Sequence, residues 1–103
     1  MPTQKDVLTF LTTIKPQLQE NGIEQVGLFG SYAKNNATFT SDIDIAIKLD
    51  KNYLDKNDVW NYFNEINKIK GMVYNKFQIK SDIFDLDSSS VFKDKILKEI
   101  LYV

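Results

Sequence analysis

The sequence predicts a mixed α/β domain, and three observations carry that prediction. Apolar residues recur at three-four spacing near the N-terminus and again around residues 59–69, which is the signature of amphipathic helices. Short runs rich in β-branched side chains lie between and after them, the clearest being the strict alternation of Ile43, Ile45, Ile47 and Leu49. Gly, Asn and Ser clusters punctuate the chain between these segments. The expected order is α-β-α-β-α-β-α, one compact α/β or α+β domain spanning residues 1–103.

The first helix is expected from about Gln4 to Glu20, with Val7, Leu8, Leu11, Ile14 and Leu18 on one face. Thr3 suits its N-cap, Pro16 predicts a kink or a division near Lys15, and Asn21-Gly22 stops it. Gln25 to Gly30 reads as a short buried strand carrying Val26, Leu28 and Phe29. One or two helical turns fit Ser31 to Asn36, ended by Asn35-Asn36. The second strand runs from Ile43 to Leu49, with Asp42, Asp44, Ala46 and Lys48 on the face opposite the isoleucines. Residues 50–57 are turn-like. A second long helix, capped near Asp55 or Asn57 and closed by Gly71, is expected to bury Trp60, Phe63 and Ile66. A third strand fits Phe77 to Leu86. Ser88-Ser89-Ser90 suits the cap of a last helix bearing Phe92, Ile96, Leu97 and Ile100. Leu101 to Val103 fits either a short edge strand or a frayed end. Tyr53, Tyr62, Tyr74 and Tyr102 read as rim residues.

Composition narrows the chemistry. The chain contains no His, no Cys and no Arg. Zinc sites of the usual kind and His-dependent nucleophiles are therefore excluded. Asp, Glu, Lys, Ser, Thr and Tyr remain, an oxygen-rich set that suits magnesium or manganese. No apolar run reaches the roughly 18 residues that span a bilayer, and the first residues lack the pattern of a signal peptide, so a cytoplasmic protein is expected. A net charge of −1 gives no basic stripe for strong nucleic-acid binding.

Two features stand out. Gly30-Ser31 lies where a strand turns into a helix, a place where free N–H groups attract phosphate and a missing Cβ lets a ligand approach. Asp42 and Asp44, two apart on a strand, present both carboxylates on one face, where a divalent cation would relieve their repulsion. Taken singly, each has a plainer reading. The first can be a turn with a helix cap, and the second a solvated strand edge.

Together they form "GSYAKNNATFTSDID", Gly-Ser followed by ten residues and Asp-x-Asp. This pattern resembles the minimal nucleotidyltransferases, a branch of the polymerase-β-like nucleotidyltransferase superfamily. The stretch Val26–Ile47 carries the resemblance, and "SDIFDLDSSSVFKDKILKEI" extends it more loosely to Ile100. The resemblance implies a small mixed sheet flanked by helices. It implies two magnesium ions (manganese as the variant) held by Asp42, Asp44 and a third carboxylate, with Gly30 and Ser31 on the triphosphate of ATP. For the third carboxylate the choice lies between Asp82 and Asp85. Strand alternation sets them on opposite faces, and Asp82 falls where the family's "V-D-L-V-D-L"-like run has its acid. The family's usual Arg-Gly after the Ala is here Lys34-Asn35, which keeps a charge but loses bidentate geometry.

The function implied is transfer of a nucleoside monophosphate, AMP from ATP, to a hydroxyl. The resemblance further implies a HEPN-type helical partner in a toxin–antitoxin pair, with this chain as the antitoxin that adenylylates a tyrosine. A nucleotidyltransferase-fold binding module without transfer activity is the alternative, and a solute- or RNA-modifying transferase a weaker third.

Overall fold

The computed structural model describes residues 1–103. Helix α1 (Gln4–Glu20) starts at Thr3, whose hydroxyl accepts from the Asp6 N–H while Asp6 accepts from the Thr3 N–H, a reciprocal capping box. Pro16 does not divide it. Pro16 and Thr12, whose carbonyl would have received the missing N–H, both face solvent, while Leu11, Ile14 and Leu18 hold the inner face. Strand β1 (Ile23–Phe29) begins two residues before the expected start and leads directly into the single-turn helix α2 (Gly30–Ala33). Strand β2 (Ile43–Leu49) has the bounds that its alternation predicts.

The stretch after β2 departs from expectation. It contains a short helix α3 (Tyr53–Lys56), and Tyr53 is only 4% exposed. Tyr53 is a core residue, not a rim residue, because Gly22 has no Cβ where the ring sits. Helix α4 (Val59–Phe77) is capped by Asp58, which accepts from the Asn61 N–H, and not by Asp55 or Asn57. It runs through Gly71 and ends in a left-handed Gln78. Nothing lies within 4 Å of where a Gly71 Cβ would stand, so that glycine is a solvent-facing position and no stop.

Trp60 and Phe63 are not core: they are 73% and 53% exposed. The inner face of α4 is half-buried Tyr62 and Ile66 with buried Ile69 and Val73, and at 100° per residue Trp60 lies on the opposite side. The expected stripe joined two faces. Its Trp60-Phe63 line continues into Asn67 and Lys70, whereas the line through Ile66 continues apolar.

Strand β3 (Ser81–Asp85) is shorter than the expected Phe77–Leu86, because α4 occupies the chain to Phe77. Helix α5 (Lys93–Glu99) follows without a serine side-chain cap. Ser90 instead accepts from the Phe92 N–H one turn earlier. Strand β4 (Leu101–Tyr102) is an edge strand, not a frayed end.

The sheet order is β3-β2-β1-β4, with β2 and β3 parallel and the other pairs antiparallel. Its two faces differ. One carries Val26, Leu28, Ile43, Ile45 and Ile47 against Leu11, Leu18, Ile69 and Val73 of α1 and α4. The other holds a smaller cluster of Ala46, Leu86 and Ile96 with Phe29, Phe84 and Ile100 beside it. Gly27 opposes Ala46 across β1 and β2, and a Cβ at Gly27 would strike Ile100. These small residues let the chain around α5 settle on that face, and α5 covers only part of it. No helix is long and apolar enough to cross a membrane.

Candidate active site

The uncovered part of the second sheet face is where the acidic residues gather. Parallel pairing of β2 with β3 sets Asp44 directly opposite Asp82 and Ala46 opposite Phe84. Side chains so paired stand side by side on one face. Phe84, in T-shaped contact with Phe29 at 6.2 Å, supplies an apolar wall next to them. A cleft of about 380 Å³ opens here, lined among others by Gly30, Lys34, Asp44, Asp82, Phe92 and Lys95.

Gly30 has φ +73°, a left-handed conformation, and a Cβ on it would collide with the Asp44 carboxylate. The strand end therefore demands glycine twice over, for its backbone and for its neighbour. Helix α2 is anchored below by buried Tyr32 and from the side by Gln4, whose Nε2 donates to the Tyr32 and Ala33 carbonyls at 3.2 and 2.7 Å. The Tyr32 carbonyl also accepts from the Asn35 N–H at 3.2 Å, so these bonds brace the end of the turn. Asn35 adopts φ +60°, so asparagine makes the turn for which the pattern usually has glycine.

Asp44 is half-buried, and its carboxyl is pushed up to about 6, first by desolvation and then by the charges of Asp82, Asp42 and Glu99. The two ion pairs of the protein join Lys34 to Glu99 and Lys48 to Asp87, and neither includes Asp42, Asp44 or Asp82. Crowded, uncompensated carboxylates of this kind fit a hard divalent cation. No three acidic side chains are close enough to hold an ion unaided.

Gly30, Asp44 and Asp82 thus come together in one cleft. Ser31 and Asp42 stand outside its lining, Ser31 half-buried in the first turn of α2 and Asp42 exposed in the loop before β2. Asp85 is elsewhere. It projects toward α4, where Oδ2 accepts from the Tyr62 hydroxyl at 3.0 Å and Oδ1 from the Asp87 N–H at 2.8 Å. Lys48 lies with Asp87, away from the cleft. Glu99 is the residue that sequence reasoning missed. It lies 69 positions from Gly30, to whose N–H it bonds, and no local pattern marks it.

The family model "Polymerase beta, Nucleotidyltransferase" matches residues 12–103. The chain belongs to this family. Among nucleotidyltransferase relatives, the protein adenylyltransferase MntA of Thermococcus cleftensis is 35% identical over 52 residues, 50% of this chain and 52% of the relative. The chain therefore matches about half the length of that curated relative. A structure solved as a candidate minimal nucleotidyltransferase superposes with TM-score 0.72 at 15% identity, covering 97% of this chain and 95% of the other. A toxin–antitoxin crystal structure with AMP-PNP gives 0.62 at 24% identity, over 88% and 69%. A tri-AMPylated Shewanella oneidensis HEPN toxin in complex with its MNT antitoxin gives 0.57 at 22%, over 92% and 69%. At these identities the likeness is one of fold, and it extends over nearly the whole nucleotidyltransferase chain described here.

Proposed function

We propose that this chain transfers AMP from ATP to a hydroxyl on a HEPN-type helical partner, acting as the antitoxin of the pair. The observation that carries the reading is the Asp44–Asp82 pair, in register on adjacent strands with Gly30 pressed against Asp44. The adenylyltransferase relative and the fold neighbours bearing AMP-PNP or an AMPylated HEPN toxin support it.

In this reading Asp42, Asp44 and Asp82 would hold two magnesium ions together with the nucleotide, since magnesium favours phosphate and water over an all-protein cage. Bound there, such ions would supply positive charge to the reacting phosphate group. Gly30 and Ser31 hold the triphosphate. Asp82 is solvent-exposed, so a hydroxyl carried on a large partner can reach it. Asp82 takes the proton of that hydroxyl as its oxygen bonds to the α-phosphorus; the bond from that phosphorus to the bridging oxygen breaks, and pyrophosphate leaves. Phe29 and Phe84 keep one side of the cleft apolar, which strengthens the electrostatics inside it.

The test is incubation with ATP, magnesium and a HEPN-type partner, followed by intact mass measurement of both chains. A gain of one AMP on the partner, absent with Asp44→Asn, is the expected result. Neutralisation of the partner without any mass gain would instead favour the binding-module alternative.

A further inference from the structure

Glu99, the last residue of α5, reaches across the cleft to the first turn of α2. Its Oε1 accepts from the Gly30 N–H at 3.3 Å, and its Oε2 lies 3.6 Å from Lys34 Nζ. Its side chain is 16% exposed, against 44% for Lys34, so the carboxylate is held inside the cleft while the lysine comes in from the rim. The Gly30 N–H is a donor that the nucleotidyltransferase reading gives to phosphate, and Lys34 lines the same cleft. A carboxylate and a phosphate oxygen compete for the same donors, since both are anionic acceptors seeking N–H groups and cations.

Both contacts are long. A 3.3 Å hydrogen bond and a 3.6 Å ion pair lie at the outer edge of their ranges, which marks an occupant that can be displaced. Glu99 also adds to the negative charge around Asp44, and it lines the cleft together with Asp82, Lys34 and Lys95. An anion there shares the cleft with the carboxylates of Asp44 and Asp82 and gains two weak partners. The position is tolerated because the second sheet face seats the chain around Glu99 firmly: Ile96 is buried against Ala46, and Ile100 fills the space left by Gly27.

We propose that Glu99 is a resident stand-in for phosphate: it holds the Gly30 N–H and Lys34 in the absence of nucleotide, and incoming Mg-ATP must displace it to bind. The proposal rests on the nucleotidyltransferase reading. Its consequence is that Glu99 weakens nucleotide binding and releases Lys34 only when nucleotide has entered.

The experiment is calorimetric titration of Mg-ATP into the wild-type protein, Glu99→Gln and Glu99→Asp. Glu99→Gln keeps the shape and removes the charge, and Glu99→Asp keeps the charge but shortens the reach. Both are expected to bind Mg-ATP more tightly than wild type, by about fivefold or more, because one charge-assisted competitor has been removed. Melting temperatures measured alongside establish that each variant is folded. Equal or weaker binding by Glu99→Gln overturns the proposal, and so does tightening confined to Glu99→Gln, which would signify repulsion without occupancy. If wild type binds and the variants gain nothing, this proposal alone fails. If none of the three binds Mg-ATP, the nucleotidyltransferase reading fails with it.

Discussion

Asp82 and Asp85 are chemically identical and three residues apart, and their surroundings give them different work. Asp82 shares a face with Asp44, whereas Asp85 is tied to the Tyr62 hydroxyl and the Asp87 N–H. Asp82→Asn is expected to lower nucleotidyl transfer by about a hundredfold or more while Mg-ATP binding persists. Asp85→Asn should keep most activity and lose about 1 kcal/mol of stability from its hydrogen bonds. Transfer assays and urea melts on both variants decide the matter, and the reverse pattern refutes the assignment. Asp44 makes a further prediction. Its folded pKa, about 6, lies above the ordinary aspartate value of 3.8, so between those pH values the native state holds more proton than the unfolded chain. In metal-free buffer its contribution must therefore fall as pH rises from about 4 to about 6. Asp44→Asn should flatten that slope and stabilise the protein at pH 7 by order of 1 kcal/mol, after allowing for the water that still screens a half-buried group. Midpoints of urea unfolding at pH 4, 5, 6 and 7 measure it, and a slope unchanged in the variant would refute it.

Among the elements, those whose pattern is short and strict were legible. The alternation of Ile43 to Leu49 defines β2 to the residue, and Thr3 with its three-four spacing marks the start of α1. Alternation along β3 likewise sets Asp82 and Asp85 on opposite faces. Helix α4 was misread in phase and in length for related reasons. An apolar residue at its N-terminal end can belong to either of two adjacent lines, and only packing against β2 and β3 chooses the one through Ile66 and Ile69. Gly71 looked like a stop because glycine costs a helix roughly 1 kcal/mol, but burial of Val73 and Phe77 beyond it outweighs that. Gly71→Ala should then stabilise the protein by about 0.5–1 kcal/mol, since the position is open and its φ is not left-handed. Transfer activity should be unaffected, and a lower melting temperature would contradict this account. Glu99 was invisible for a different reason: its role depends on where α5 lands on the sheet, and no spacing rule encodes that.

At the scale of the whole molecule, the principal-axis extents of 39 × 30 × 20 Å describe a slab. One full helix layer backs the sheet, and the second face is only partly closed by α5, which leaves the cleft open to solvent. The slab also carries an apolar strip on the outside of α4, where Val59, Trp60 and Phe63 are exposed. Trp60→Lys should consequently shift stability by no more than about 0.5 kcal/mol, as surface substitutions do. A drop comparable with a core deletion, measured in urea, would show the strip to be part of the core. Trp60 is the single tryptophan of the chain. Its indole already sits in water in the native state, so its emission should be red-shifted before denaturant is added and should barely move on unfolding. Tryptophan fluorescence is thus a poor reporter of folding for this protein, and stability is better followed by circular dichroism. The same indole is well suited as an optical probe of contact: a blue shift would appear only when another surface covers that side of α4.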